Sequence, residues 1–331
     1  MRKTTLSDIA KYVNVSKTTV SMVLNNKNIN VSDETRKKIL EASKELKYIP
    51  NSVARSLSTN KSYTIGFIVP DIENPFFSEM AKAIETESEK CGYSMILCNT
   101  LNRGEREYEY IKLLISRLVD GVVIVPSGES NEALELLSAN DVPFVVADRK
   151  VESNEKYNGV FCDNNKGIRL GVEYLMNKKV GNIAFVGGLI QGVDTRLGYF
   201  EEISLELNIL DKDLIEEEEF SMGGGIRATE RIMNKNKDLK AIFYSSDIMA
   251  IGGMKYLIRN GYKIPKDINI LGYDNIGFSS FIEPELTTVA QPIYKMGEEA
   301  FKLLLKSINN EHSPVETIIL EPYLVDRETV K

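Results

Sequence analysis

From Tyr63 onward the chain alternates short apolar runs with longer amphipathic stretches, and it does so twice. Residues 65–69, 94–97, 121–125 and 144–146 are runs rich in Val and Ile, bounded by turn residues. They are too short for buried helices and predict buried parallel strands. Patterns of helical period near 78–91, 105–118 and 131–140 lie between them. A second set follows, with strands at 183–186, 241–244 and 268–272 and helices near 166–178, 195–208, 225–235 and 247–260. This alternation needs helices on both faces of a parallel sheet. The expected body is therefore α/β, with two doubly wound parallel-sheet lobes and a cleft near the carboxyl ends of the strands.

At 331 residues the chain exceeds one ordinary core, so further parts are expected. No run of eighteen apolar residues occurs, which predicts no membrane span. The first residues enter an amphipathic pattern without the apolar stretch of a signal peptide, so a cytoplasmic location is expected. Cys91, Cys98 and Cys162 lack metal-ligand spacing, and Cys91 and Cys98 are expected to be buried small hydrophobes. The overall charge of −7 is uneven: residues 1–61 hold 12 basic against 5 acidic side chains, the rest 29 against 43. A basic head on an acidic body suggests that only the head meets a polyanion.

Within that head, Thr4 or Thr5 can cap a helix from Leu6 to Val13 that places Ile9, Ala10 and Val13 on one face. Asn14 stands where the chain must turn sharply, in the left-handed conformation that Asn tolerates. Ser16 is a good cap for a second helix, 17–24, burying Val20, Val23 and Leu24. Helix, short turn, helix with this apolar spacing is a helix-turn-helix; small bundles without DNA look similar, but the positive charge and a second helix that would present Lys17, Thr18, Ser21 and Met22 to a major groove favour DNA. A third helix begins at Ser32 and runs to about Leu46, burying Ile39, Leu40 and Leu46. Residues 51–57 form a helical pattern of only two turns, marginal alone in water. Read alone they suit a plain linker; the alternative is a helix that orders on DNA or on a second copy, with Arg55 for phosphate and Leu57 as a minor-groove wedge.

Thr5-Leu6-Ser7-Asp8-Ile9-Ala10, Val15-Ser16-Lys17-Thr18-Thr19-Val20-Ser21, Tyr48-Ile49-Pro50-Asn51 and Ala54-Arg55-Ser56-Leu57 resemble the head and hinge of the LacI/GalR family of bacterial transcriptional repressors. The resemblance implies a dimer that reads a palindromic operator. It assigns DNA contacts to Thr5, Leu6, Ser16, Lys17, Thr18, Thr19, Ser21, Met22, Asn25, Tyr48, Asn51, Ala54, Arg55 and Leu57. Met22 departs from the family, which usually has Arg there. Arg forks onto guanine, whereas Met makes only apolar contact, so an operator position commonly read as G is altered.

The body carries no catalytic set. The only histidine, His312, lies in a polar turn, and Asp148-Arg149 and Asp274-Asn275 have no nucleophile or metal cluster beside them. Gly187-Gly188 and Gly223-Gly224-Gly225 make no phosphate loop and are expected to be turns. An enzyme, or a solute-binding protein on the same lobes, is the weaker alternative; no cofactor and no metal are expected.

Pro70 to Phe77, Asp148-Arg149, Asp247 to Gly252, Gly272-Tyr273-Asp274-Asn275 and Leu286 to Pro292 extend the resemblance along the body. It implies an effector cleft containing Asn74, Phe76, Phe77, Asp148, Arg196, Ser246, Asp247 and Asp274. Their chemistry agrees: carboxylates accept from sugar hydroxyls or base amines, and an aromatic face stacks on a ring. Ser246 replaces the usual Asn, and Arg196 stands two residues before Gly198-Tyr199 where three are usual. The effector is expected to be a sugar or sugar derivative, with a purine as the alternative and a co-regulator protein as a possible partner. No leucine heptads follow Arg327, so a homodimer is expected. The expected division is a DNA-binding head at 1–48, a hinge helix and linker at 49–61, and a body at 62–331. Lobe one would take about 62–161 and 291–321, and lobe two about 162–290 and 322–331.

Overall fold

The computed structural model describes residues 4–25, 28–49, 61–127, 132–151, 156–188, 196–236, 238–309 and 314–331. The chain divides into two compact units, residues 1–62 and 63–331.

The first unit holds α1 (Leu6–Val13), α2 (Lys17–Leu24) and α3 (Asp33–Glu45). The Thr5 backbone N–H and hydroxyl both donate to Asp8 Oδ2, at 2.8 and 2.7 Å, which closes the first turn of α1. Asn14 ends that helix at φ 56°, ψ 50°, as its position between the two helices predicts. Ser16 Oγ accepts from Thr19 N at 3.0 Å and starts α2. Ile9, Ala10, Val20, Val23, Ile39 and Ala42 form the core, with Leu6, Leu46 and Tyr48 packed against it. Leu40 was expected in this core but is exposed, because Ile39 and Ala42 occupy the face of α3 that meets the other two helices.

The second unit contains two six-stranded sheets. In the order they occur, its elements are β1 (Thr64–Val69), α4 (Pro75–Lys90), β2 (Ser94–Asn99), α5 (Gly104–Ser116), β3 (Gly121–Ile124), α6 (Glu132–Ala139), β4 (Phe144–Ala147), β5 (Asn158–Cys162), α7 (Asn164–Asn177), β6 (Ile183–Gly188), α8 (Arg196–Glu206), β7 (Ile215–Glu218), α9 (Met222–Lys235), β8 (Ala241–Tyr244), α10 (Asp247–Arg259), β9 (Asn269–Asp274), β10 (Thr287–Ala290), α11 (Ile293–Asn309), β11 (Thr317–Leu320) and β12 (Tyr323–Val325). One sheet has the order β11-β5-β4-β3-β1-β2 and the other β12-β10-β9-β8-β6-β7. Every pairing is parallel except β10 with β12. The chain passes between sheets three times, after β5, after β10 and between β11 and β12. Each sheet reverses its strand order beside its first strand, so ligand-binding loops are expected at the carboxyl ends around β1 and β6.

Two glycine clusters do not form turns. Gly187 and Gly188 end β6, and Gly223 to Gly225 open α9. A Cβ on Gly225 would stand 2.0 Å from Met249 O, and one on Gly252 would stand 2.1 Å from Met222 O. The glycines let α9 and α10 touch backbone to backbone. Cys91 caps α4 and is exposed, while Cys98 is buried as expected.

Candidate functional site

The carboxyl ends of the strands gather most of the candidate cleft residues. After β1, Asp71 Oδ1 accepts from Glu73 N at 3.0 Å and shapes a turn that leads to Asn74. Asn74 Oδ1 accepts from Phe76 N at 3.1 Å and caps α4, with Pro75 at its first position. This delivers Phe76 and Phe77, packed edge to face at 5.2 Å. After β4, Asp148 adopts φ 63°, and Arg149 lies 3.8 Å from its carboxylate and 5.6 Å from the Phe77 ring centre. Arg149 also donates to Pro126 O at 3.3 Å.

The second sheet repeats this arrangement. Asp274 ends β9 at φ 115°, a conformation that costs a non-glycine residue about 1–3 kcal/mol and marks a constrained site. Arg196 opens α8 and donates to Ser245 O at 2.6 Å, to Asp274 Oδ1 at 3.4 Å and to Asn164 Oδ1 at 3.3 Å. Its guanidinium lies 4.3 Å over the Tyr273 ring, whose hydroxyl donates to the same Asn164 oxygen at 3.0 Å. Gln291, just past β10, donates to Asp274 Oδ1 at 2.8 Å. Asp274 Oδ2 has no hydrogen-bond partner among the described residues, and the buried Ser246 Oγ and Gln291 Oε1 also lack one.

Burial pushes the Asp274 carboxyl well above the usual carboxylate range, Arg196 opposes that, and the charges of Asp247 and, less, Asp148 add to the rise. Asp148 follows a strand of the first sheet and Asp274 ends a strand of the second. The buried Cys162 thiol, pushed up to about 12 by desolvation, senses the same Arg and Asp charges and stays un-ionised.

Residues 5–51 match the model of bacterial regulatory proteins of the lacI family, and residues 172–330 match the periplasmic binding protein-like domain. The ribose operon repressor of Halalkalibacterium halodurans is 38% identical over 99% of this chain and 97% of its own length. The chain belongs to the LacI family. Among solved structures, a lac repressor dimer bound to operator and an anti-inducer aligns with a TM-score of 0.87 at 27% identity, covering 99% of each chain. A LacI-family regulator from Enterococcus faecium with bound ribose aligns with a TM-score of 0.73 at 32% identity, covering 81% of this chain and 98% of its own. The family's architecture, a helix-turn-helix head and a two-lobed periplasmic-binding-protein-like body, is the one described above.

Membership in the LacI family makes the head a DNA-binding unit. On its exposed side stand Lys17, Thr18 and Asn25, with Ser21 and Met22 half-buried beside them. Ser16 and Thr19 pair their hydroxyls at 2.8 Å, and Asn25 Nδ2 donates to Ser21 O at 2.8 Å. Thr5 is exposed at the start of α1, whereas Leu6 and Tyr48 pack on the core of the head. Asn51, Ala54, Arg55 and Leu57 lie outside the described residues, as does His312.

Within the body, Asp247 differs from its expected role. Its Oδ2 accepts from Ile276 N at 3.0 Å and Ser279 Oγ at 2.6 Å, and its Oδ1 accepts from Thr288 Oγ1 at 2.6 Å. It is fully buried, and a Cβ on Gly272 would meet its Oδ1 at 2.1 Å. Asp247 therefore ties the start of α10 to the turn after β9. Gln291, Asn164, Tyr273 and Arg149 were not singled out from sequence. Gln291, Tyr273 and Arg149 stand inside motifs that were, and only the fold shows where their side chains go.

Proposed function

We propose that this LacI-family regulator represses transcription by binding a palindromic operator as a homodimer, and that a pentose held between its lobes sets its grip. The carrying observation is the pair of Arg–Asp couples, Arg149–Asp148 and Arg196–Asp274, one from each sheet, with Phe76 and Phe77 beside them. Each carboxylate can accept from ring hydroxyls and each guanidinium can donate to hydroxyl or ring oxygens. The aromatic pair covers the apolar face of a compact ring. Ser246 Oγ and Gln291 Oε1 offer two further buried polar atoms for hydroxyls. The bound ribose of the Enterococcus regulator and the name of the Halalkalibacterium repressor point to the same class of ligand.

Several finer readings belong with this proposal. Phe281 is 85% exposed and Phe278 59%, a concentration of apolar surface on one turn that suits a second copy of the chain. The protein acts by binding rather than by catalysis, in line with relatives that are named as regulators. No described helix is long and apolar enough to cross a membrane, consistent with work on DNA in the cytoplasm. The lobes divide at the three crossings between sheets.

Calorimetric titration of the full chain with ribose, with a purine base as the competing ligand, tests the pentose reading. Saturable binding of ribose, absent in Asp148→Ala, is expected; binding of the purine alone overturns it.

A further inference from the structure

The turn that follows β9 has a second contact surface, distinct from the cleft. Asp274 points its carboxylate to Arg196 and Gln291, but two residues later Ile276 is buried in the core cluster of the first lobe, with Phe76, Phe77 and Met80. Ile251 of α10 packs on the same cluster. Gly277 N then donates to Glu79 Oε1 of α4 at 2.7 Å. Glu79 stands one helical turn beyond Phe76, so these two side chains are neighbours along one side of α4.

The turn is also pinned from its own lobe. Asp247 accepts from Ile276 N and Ser279 Oγ, and Arg327 donates to Asn275 Oδ1 at 2.6 Å. Asp274 and Asn275 both have positive φ, so the backbone here is held in a conformation that non-glycine residues rarely adopt. A movement of Asp274 is thus passed to Ile276 and Gly277 rather than absorbed between them.

We propose that residues 274–277 couple effector binding to lobe closure, and that Glu79, which lies outside the effector-binding set, is a positioning residue that raises effector affinity by holding Gly277. This rests on the cleft reading above. The bond bridges elements of the two lobes and exists only while they are apposed, so it favours the closed arrangement that a ligand between the lobes requires. Removing it lowers the population competent to bind.

Ribose is titrated calorimetrically into the full chain, and amide exchange is followed at Ile276 and Gly277. Glu79→Ala is expected to raise the ribose Kd by roughly threefold to tenfold and to speed exchange at Gly277. Glu79→Gln keeps an acceptor oxygen and is expected to stay within about twofold of the wild type. Glu85→Ala, exposed on the same helix, is the control and is expected to change neither readout. An unchanged Kd in Glu79→Ala, with or without faster exchange, overturns the coupling. If the wild type does not bind ribose, the pentose reading fails separately. The coupling is then judged by small-angle scattering of the ligand-free protein, where Glu79→Ala should widen the body and an unchanged profile overturns it.

Discussion

Arg196 gives its short bond, 2.6 Å, to Ser245 O and reaches Asp274 only at 3.4 Å. The guanidinium is anchored by backbone, and the carboxylate beside it keeps an oxygen without a hydrogen-bond partner among the described residues. A buried pair of this kind is prepared for a third group. Asp274→Ala should therefore keep operator binding without effector and raise the effector midpoint by roughly tenfold to a hundredfold, the cost of a buried hydroxyl left unpaired. Titration of effector against labelled operator, wild type beside variant, reads it. An unchanged midpoint removes Asp274 from the cleft, and collapse of DNA binding assigns it to the core.

Asp247 gives a pH signature. Burial pushes its carboxyl up to about 6 despite the three donors that favour its ionised form. A raised acid pKa contributes stability below the unfolded value, near 3.8, and that contribution is lost as pH rises through about 6. Relative to Asp247→Asn, which does not titrate, the wild type should lose about 2 kcal/mol between pH 4 and pH 7. Urea denaturation of both proteins at several pH values checks this, and comparing the two cancels the acids that do not interact with Asp247; Asp274, which does, is held constant by making the same pair of measurements in Asp274→Asn. A gap that does not vary with pH would show that the carboxyl ionises equally well folded and unfolded.

The contact of α9 with α10 leaves no room for a methyl group. Gly225→Ala and Gly252→Ala each place a Cβ within about 2 Å of a carbonyl oxygen of the facing helix. Backbone cannot move aside as a side chain end can, so each should destabilise the body by about 1–3 kcal/mol or more. The double variant should cost less than the sum, because both push the same helices apart. Thermal melts decide it; strict additivity would mean that the two glycines act separately.

Met22 lies half-buried on α2 next to Ser21, beside the exposed Lys17 and Thr18. Met22→Arg would supply a forked donor where the chain now offers only a thioether and methylenes. We expect a gain of about 1–3 kcal/mol in preference for guanine at one symmetric pair of operator positions. Binding of both proteins to a panel of single-base operator variants measures this. No change in preference would place Met22 off the base edges.

The strands at β1, β3, β8 and β9 were legible because a buried parallel strand is a nearly continuous apolar run. Strand β7, Ile215–Glu218, was not: its acidic side chains meet Arg227, Arg231 and Lys235, and the salt bridges hide a strand that reads as polar loop. The glycines at 223–225 looked like a turn because their reason is a helix remote in sequence. Of the cleft, residues inside recognisable motifs could be named, but Asp247 could not be separated from Asp274. Both are acids beside the carboxyl ends of strands, and only the partners show that both oxygens of one are engaged inside the protein while the other has an oxygen without a hydrogen-bond partner among the described residues. Cys91 and Leu40 erred for a smaller reason: a helix end, or a neighbouring position on a helix, turns a side chain outward without altering the apolar count.

The three crossings between sheets act as a bearing. A single connection would let the lobes swing and twist freely, and two would still allow a rocking motion. Three connections restrict the relative movement of the two sheets more than one or two would. Any relative movement of the two sheets must therefore be accommodated in these three connecting segments at once.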